Sequence, residues 1–208
     1  MIIFATLEKA VARAVADDAA LMRARERWKE LAGEVFDDEP LYEERAAAFL
    51  EWFTLDCAED GGRPPIAAQL RAAEGLERAA LHAIATVHHS VFAVREHVEG
   101  GVLLEDLWGG ATFQVHERRR LIGLGPGEVF ESRLVADVET PPRLVFSRTF
   151  CFHPREALGA IREHVAQSRA AGEARESLLF RLLRLRIRCE RWRHVAPARI
   201  YAEPRSNA

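Results

Sequence analysis

Between residues 90 and 153 the sequence changes from long helix-like stretches to short apolar runs separated by glycines. Pairs of apolar runs around a two-glycine turn, as at Gly100-Gly101 and Gly109-Gly110, are typical of β-hairpins. The runs are VFAVREHV, VLLEDLW, ATFQVHE, EVFESRLVA and RLVFSRTFCF. Five such runs in roughly 60 residues predict a five-stranded antiparallel small barrel or meander.

Helix-like patterns lie on both sides of this strand-rich part, so the sequence predicts an α+β protein. We expect a helical region at 1–89, a small β-module at 90–153, and C-terminal helices at 154–208 that pack on the N-terminal region. The 208 residues suit one domain or two small ones, and an apolar content of 49% is ample for a core.

Residues 6–33 are rich in Ala, Leu, Glu and Arg and predict one long helix. A second helix is predicted over 41–57. The Gly-Gly-Arg-Pro-Pro stretch at 61–65 predicts a turn, with Asp56 and Asp60 as candidates to cap it. Two shorter helices are predicted over 66–74 and 76–89.

Aromatic residues crowd the second helix in the stretch FLEWF, residues 49–53. One stripe at helical spacing comprises Tyr42, Ala46, Phe49, Phe53 and Cys57. A second comprises Ala48, Trp52 and Leu55. A helix that is apolar on two sides is central in a bundle or covered by a partner, so we expect Phe49 and Phe53 to be buried.

The element at 173–194 fits two patterns. Its apolar residues Leu178, Leu182, Leu185, Cys189 and Trp192 follow the steps of one helical seam. The stretch LRLRIRCE also alternates as a half-buried strand would. The length of the element favours a helix. Phe180, Leu183 and Ile187 would then lie opposite the seam, and the helix would be packed on both sides.

Four arginines on one flank of that seam, Arg181, Arg184, Arg188 and Arg191, form a possible interaction surface. Such a row can pair with acidic residues of the same chain or of a second subunit, since 34–60 carries ten carboxylates and one basic residue, Arg45. It can also face solvent, or neutralise the phosphates of nucleic acid.

The histidines and cysteines do not follow the spacing of a metal site. His88-His89 and Cys151-Phe152-His153 contain possible ligands, but a helical zinc pair needs histidines at i and i+4 and a third ligand elsewhere. No nucleophile stands beside a base, so no catalytic residue is assigned. We expect no cofactor and no stoichiometric zinc.

The net charge of −3 predicts no general attraction to nucleic acid or anionic membranes. No apolar run is long enough for a membrane span. The first residues lack the basic region of a signal peptide, and three distant cysteines suggest no disulfide framework. These features favour a cytoplasmic protein.

The order FLEWFTLD, GGRPP, a helical hairpin, VFAVREHVEGGVLLEDLWGGATFQVHE and LGPGEVFESRLV resembles a poorly characterised group of bacterial proteins. Some members carry a C-terminal SEC-C zinc motif. The resemblance covers roughly residues 42–152. Its matching positions are Phe49, Trp52, Phe53, Asp56, Asp106, Leu107, Gly110, Val115, Gly125, Gly127 and the ESRLV strand. The cysteine-rich SEC-C segment is not present in this sequence, so no zinc site is carried over.

These observations favour a non-enzymatic interaction or scaffold protein that binds an unidentified protein partner or a second copy of itself. The alternative is a nucleic-acid-associated protein that uses the β-module and the arginine-rich last helix. A third possibility is a metal-dependent hydrolase built around His88, His89 or His153.

Overall fold

The computed structural model describes residues 2–34, 36–58, 62–117 and 124–202. Within them the chain forms eight α-helices, one short 3-10 helix and five strands. The helices are α1 (Ile2–Ala14), α2 (Asp18–Ala32), α3 (Tyr42–Leu55), α4 (Pro65–Ala72), α5 (Gly75–Ala85), the 3-10 helix (Arg155–Ala157), α6 (Leu158–Ala170), α7 (Arg175–Arg191) and α8 (Pro197–Tyr201). The strands are β1 (His88–Val98), β2 (Gly101–Asp106), β3 (Thr112–His116), β4 (Val129–Ala136) and β5 (Leu144–His153).

The fold is α+β, as predicted, with a five-stranded mixed sheet. Strand β1 is long enough to pair with β2 through its C-terminal half and with β4 through its N-terminal half. Pairing continues from β4 to β5 and from β2 to β3, so the strands follow the closed order β1-β2-β3-β5-β4. The prediction of a purely antiparallel sheet is wrong, because β5 runs parallel to β3, with Val115 opposite Leu144.

The predicted single helix over 6–33 is also wrong, because the chain forms α1 and α2 with a break at 15–17. Asp17 caps α2: its Oδ1 accepts a hydrogen bond of 3.0 Å from the backbone N of Ala20. Aspartate competes with the backbone inside a helix and favours the cap position. The Asp17-Asp18 pair therefore starts a new helix.

His88 and His89, which were expected near a helix end, lie in β1 instead. Helix α5 ends at Ala85 and the strand begins three residues later. At the Gly-Gly-Arg-Pro-Pro turn, Pro64 is the cap of α4 and Pro65 its first residue. Asp60 lies outside the described residues.

Helix α7 settles the choice between helix and strand at 180–190, and it is packed on both sides as expected. Leu178, Leu182, Leu185 and Cys189 belong to a core shared with α6, α8 and β1. Phe180, Leu183 and Ile187 belong to a second core with α2 and α3. The seam residue Trp192 is an exception, because it follows the last helical residue and is 43% exposed.

The second core contains the FLEWF stretch. Phe49 and Phe53 are buried, as predicted, together with Trp52 and Cys57. The rings of Phe49 and Phe53 stack with centroids 6.2 Å apart. Tyr42, expected on the same stripe, is instead 39% exposed, since it is the first residue of α3. A third core lies inside the sheet, around Phe92, Phe130 and Phe146.

No helix among the described residues has the length and apolar content that a membrane span requires. The division of the chain into three domains, namely a helical region, a β-module and a C-terminal helical part, stays a prediction.

Candidate functional site

The four arginines of the predicted interaction surface have different surroundings. Arg181 is half-buried and bonds to Glu173 at 2.5 Å and to the Ser168 Oγ at 3.1 Å, so it ties α7 to the end of α6. Arg184 is exposed. Within the described part of the chain, Arg188 and Arg191 are the two of this row that lie beside exposed aromatic rings.

The guanidinium of Arg188 lies 4.5 Å from the ring centroid of Trp192, and that of Arg191 lies 5.3 Å from the ring centroid of Phe36. Phe36 is 46% exposed. A guanidinium over an aromatic face is attracted by the ring electrons. The end of α7 and the segment before α3 thus form one surface, which we call the aromatic–arginine patch: Phe36, Tyr42, Arg188, Arg191 and Trp192.

Glu39 holds the segment before α3 in place. Its Oε1 accepts a hydrogen bond of 2.7 Å from the Nε of Arg191, and its Oε2 accepts one of 3.1 Å from the Nη1 of Arg45. Arg45 is buried and also donates to the backbone carbonyls of Ala32, Gly33 and Glu34. One arginine of α7, Arg191, therefore pairs with the acidic 34–60 segment within the chain, through Glu39.

Two positions of the family resemblance make polar contacts beneath the helices. The indole Nε1 of Trp52 donates to Glu176 on α7 at 2.9 Å. Asp56 forms an ion pair with the buried Arg133 of β4. The predicted turn lies partly outside the described residues, so its capping by Asp56 stays a prediction. Phe49 and Phe53 serve packing.

Asp106, another of those positions, organises the end of β2. It is buried and accepts hydrogen bonds from the Ser90 Oγ at 2.5 Å and the backbone N of Trp108 at 3.0 Å. The Nε2 of His88 lies 3.0 Å from its other oxygen. Ser90 and His88 both contact the carboxylate rather than each other, which is unlike a nucleophile and its base.

The turn at 125–127 also has a structural explanation. Gly127 has a φ of +83°, which favours glycine. Its N–H donates to the carbonyl of Val94 at 2.8 Å, and the N–H of Glu128 donates to Gly125 at 3.0 Å. Gly125 and Gly127 thus shape the entry into β4, as a plain turn between strands would.

A cavity lies where α2, α3 and α7 meet β1, β4 and β5. Its apolar wall includes Trp28, Trp52 and Phe180, whose rings pack at centroid distances of 5.2 to 6.0 Å. Its polar wall includes Glu51, His89, Glu131, Arg133, Thr149 and Cys151. We call this space the polar cavity.

His89 and Glu131 form a pair across β1 and β4, with the Nε2 of His89 2.8 Å from the Oε1 of Glu131. Burial raises the pKa of Glu131 to about 8, against the opposing charge of Arg133. Burial, helped by Arg133 and Arg175, lowers the pKa of His89 well below its usual value. Both shifts favour a neutral pair near pH 7, in which the carboxyl group donates its proton to the imidazole nitrogen.

Arg133 is the buried cation of this cluster and is only 3% exposed. It pairs with Asp56, and its Nε lies 3.3 Å from the Oε2 of Glu51. Burial raises the pKa of Glu51, although the charge of Arg133 opposes the rise. The pair of Arg133 and Asp56 therefore carries opposite charges, while the two buried glutamates favour the neutral form.

The residues considered as metal ligands do not meet at one point. His153 is buried, and its Nδ1 lies 2.7 Å from the hydroxyl of Tyr201. Burial lowers the pKa of His153 to about 3 and raises that of Cys151 to about 12. In the part of the chain that the structure describes, no group of three or more His, Cys, Asp or Glu side chains has a metal-binding arrangement.

Sequence reasoning missed the residues that make the polar cavity polar. Glu131 and Arg133 appeared only as part of the ESRLV strand, and His89 only as a possible metal ligand. Charged residues at alternate positions of an otherwise apolar strand were the available signal, since one face of β4 is covered by helices. Phe36 was not singled out at all, because a lone aromatic in an acidic loop has no periodic pattern.

No family model, no curated protein and no solved structure matches this chain.

Proposed function

We propose that this chain is a non-enzymatic interaction protein and that the aromatic–arginine patch binds a second copy of the same chain. The observation that carries the proposal is the exposure of three large aromatic rings, with arginines stacked on two of them. Tryptophan, tyrosine and arginine dominate the binding energy of protein interfaces, where they become desolvated.

The charges around the patch support a second copy as the partner. The segment before α3 carries the exposed carboxylates of Asp37 and Asp38, and α3 begins with those of Glu43 and Glu44. The end of α7 contributes arginines to the same surface. In a two-fold dimer a surface meets itself, so a surface that carries both signs of charge is complementary to its own copy.

The same contacts weigh against nucleic acid as the partner. Arg181 and Arg191 each bond to a carboxylate within the chain, at 2.5 Å in both cases. Phosphate binding depends on arginines that replace the counterions of the nucleic acid. An arginine already paired with a carboxylate contributes less to that exchange.

Sedimentation velocity over a series of protein concentrations tests the proposal. The wild-type protein is expected to form a concentration-dependent dimer, and Trp192→Ala to weaken it by at least about tenfold, the effect of a typical interface hot spot. Leu76→Ala is the matched control, because Leu76 on α5 is 55% exposed and lies outside the patch. A monomer at all concentrations, or equal weakening by both variants, would contradict the proposal.

A further inference from the structure

The polar cavity contains buried polar atoms that no protein group satisfies. Two are donors, the indole Nε1 of Trp28 and the Nη1 of Arg133, and one is the Oε2 of Glu131. A buried polar atom without a hydrogen bond costs about 1 to 3 kcal/mol, so these atoms are suited to a bound polar molecule.

Charge balance argues for a neutral ligand. Among the described residues, the charged side chains that face the cavity or pair beside it are Arg133 and Arg175 on one side and Asp56 and Glu176 on the other. The remaining titratable groups, Glu51, His89, Glu131 and Cys151, all favour their neutral forms through burial. An ion entering a balanced, buried site would lose its hydration without gaining an opposite charge.

The three unsatisfied atoms require a ligand with an acceptor and a donor. When Glu131 gives its proton to His89 through Oε1, its Oε2 is left as a carbonyl-like acceptor. A ligand oxygen would accept from Trp28 and Arg133, and a ligand N–H would donate to Glu131. The free space is about 30 Å³, more than a single water molecule needs, so the bound group must be very small.

We propose that the polar cavity is a binding site for a small primary carboxamide. Its carbonyl oxygen accepts from the Trp28 indole and the Arg133 guanidinium, and its amino group donates to Glu131. The flat rings of Trp52 and Phe180 line the apolar side of the group. This site is independent of the patch, and failure of either proposal leaves the other standing.

The indole N–H signals of the four tryptophans, measured by two-dimensional NMR of the 15N-labelled chain, provide a direct test. Trp28→Phe identifies the Trp28 signal, because it removes the indole N–H and keeps an aromatic side chain at that position. Titration with acetamide is expected to move that signal in a saturable way, while the exposed Trp192 does not respond. Acetate and methylammonium are the charged controls of similar size, and neither is expected to produce saturable movement.

Two variants test the contacts separately. Trp28→Phe, read through the backbone amide of Thr149, is expected to weaken acetamide binding about tenfold, the loss of one hydrogen bond. Glu131→Met, followed by the NMR signal of the Trp28 indole, is also expected to weaken acetamide binding about tenfold. It replaces Trp28→Phe in the test if that variant does not fold. The proposal is overturned if acetamide gives no saturable shift, which would leave water as the only occupant. It is also overturned if acetate or methylammonium binds equally well, or if the folded variant binds as wild type does.

Discussion

Arg191, the last residue of α7, contacts Glu39 through its Nε at 2.7 Å and its Nη2 at 2.5 Å, although the two residues are 152 positions apart. The contact fixes the loop before α3 against the end of the arginine-rich helix. Because Phe36 lies under the same guanidinium, the contact also holds an exposed ring at the end of α7. The proposed interface is thus built by residues from both ends of the chain.

The aromatic core beneath this surface sets the stability of the helical part. Phe53→Ala should lower the free energy of unfolding by about 3 to 5 kcal/mol, the usual cost of a buried phenylalanine, since Phe53 is 2% exposed. Chemical denaturation measures this loss. Leu76→Ala is the exposed control and should change stability by less than about 0.5 kcal/mol. A similar small effect of Phe53→Ala would mean that the stripe does not form the core.

The buried ion pair of β4 should be costly to break. Arg133→Met leaves Asp56 and Glu51 without their cation, and we expect a loss of about 3 to 5 kcal/mol in the free energy of unfolding. Arg143→Met, at an exposed arginine just before β5, is the control. Adding Asp56→Asn to Arg133→Met should restore part of the loss, because it removes the carboxylate that has lost its cation. If the losses in the free energy of unfolding of the two substitutions simply add, the two side chains do not interact, which would contradict the prediction.

The raised pKa of Glu131 predicts how stability depends on pH. Between its usual value of 4.5 and about 8, the folded state keeps a proton that the unfolded state has released. The contribution of this group is complete below pH 4.5 and is lost as the pH rises through 8, at about 1.4 kcal/mol per pH unit. Glu131→Gln cannot ionise, so its stability relative to wild type should increase from pH 5 to pH 8. Denaturation of both proteins at several pH values measures the difference in their free energy of unfolding. A difference that does not change with pH would contradict the raised pKa of Glu131.

Nucleic-acid binding distinguishes the dimer proposal from the alternative. If the arginines of α7 serve self-association, labelled DNA and RNA should bind weakly, with no measurable binding at about 150 mM salt, where exposed charges are screened. Charge reversal at Arg184 and Arg188 should change self-association more than nucleic-acid affinity. Tight binding at this salt concentration, lost in the reversed variant with its fold intact, would replace the dimer proposal.

The sequence predicted what depends on local periodicity. The α+β class, the strands, helix α7 and the buried Phe49 and Phe53 all follow from spacing along one element. The parallel contact of β3 and β5 was not predictable in this way, because it depends on β4 pairing with β1 rather than with β3. The break before Asp18 was missed because good helix formers on both sides outweighed a single capping aspartate.

The polar cavity could not be predicted from the sequence for a related reason. Arg133, Glu51 and Asp56 come from a strand, a helix and the residue after that helix, and only the packing of α3 on the sheet brings them together. The same holds for the aromatic–arginine patch. Sequence spacing gathered Arg181, Arg184, Arg188 and Arg191 on one flank, but the rings beside two of them come from Phe36 and from a residue past the helix end.

Hydrogen exchange measured at low and at high protein concentration tests the proposed interface most directly, because it reports which backbone amides become protected on association. If the aromatic–arginine patch binds a second copy, segments 36–44 and 184–195 should gain protection at high concentration. The α5 segment around Leu76 should not change. Exchange that is independent of concentration, or added protection confined to other parts of the chain, would contradict the account.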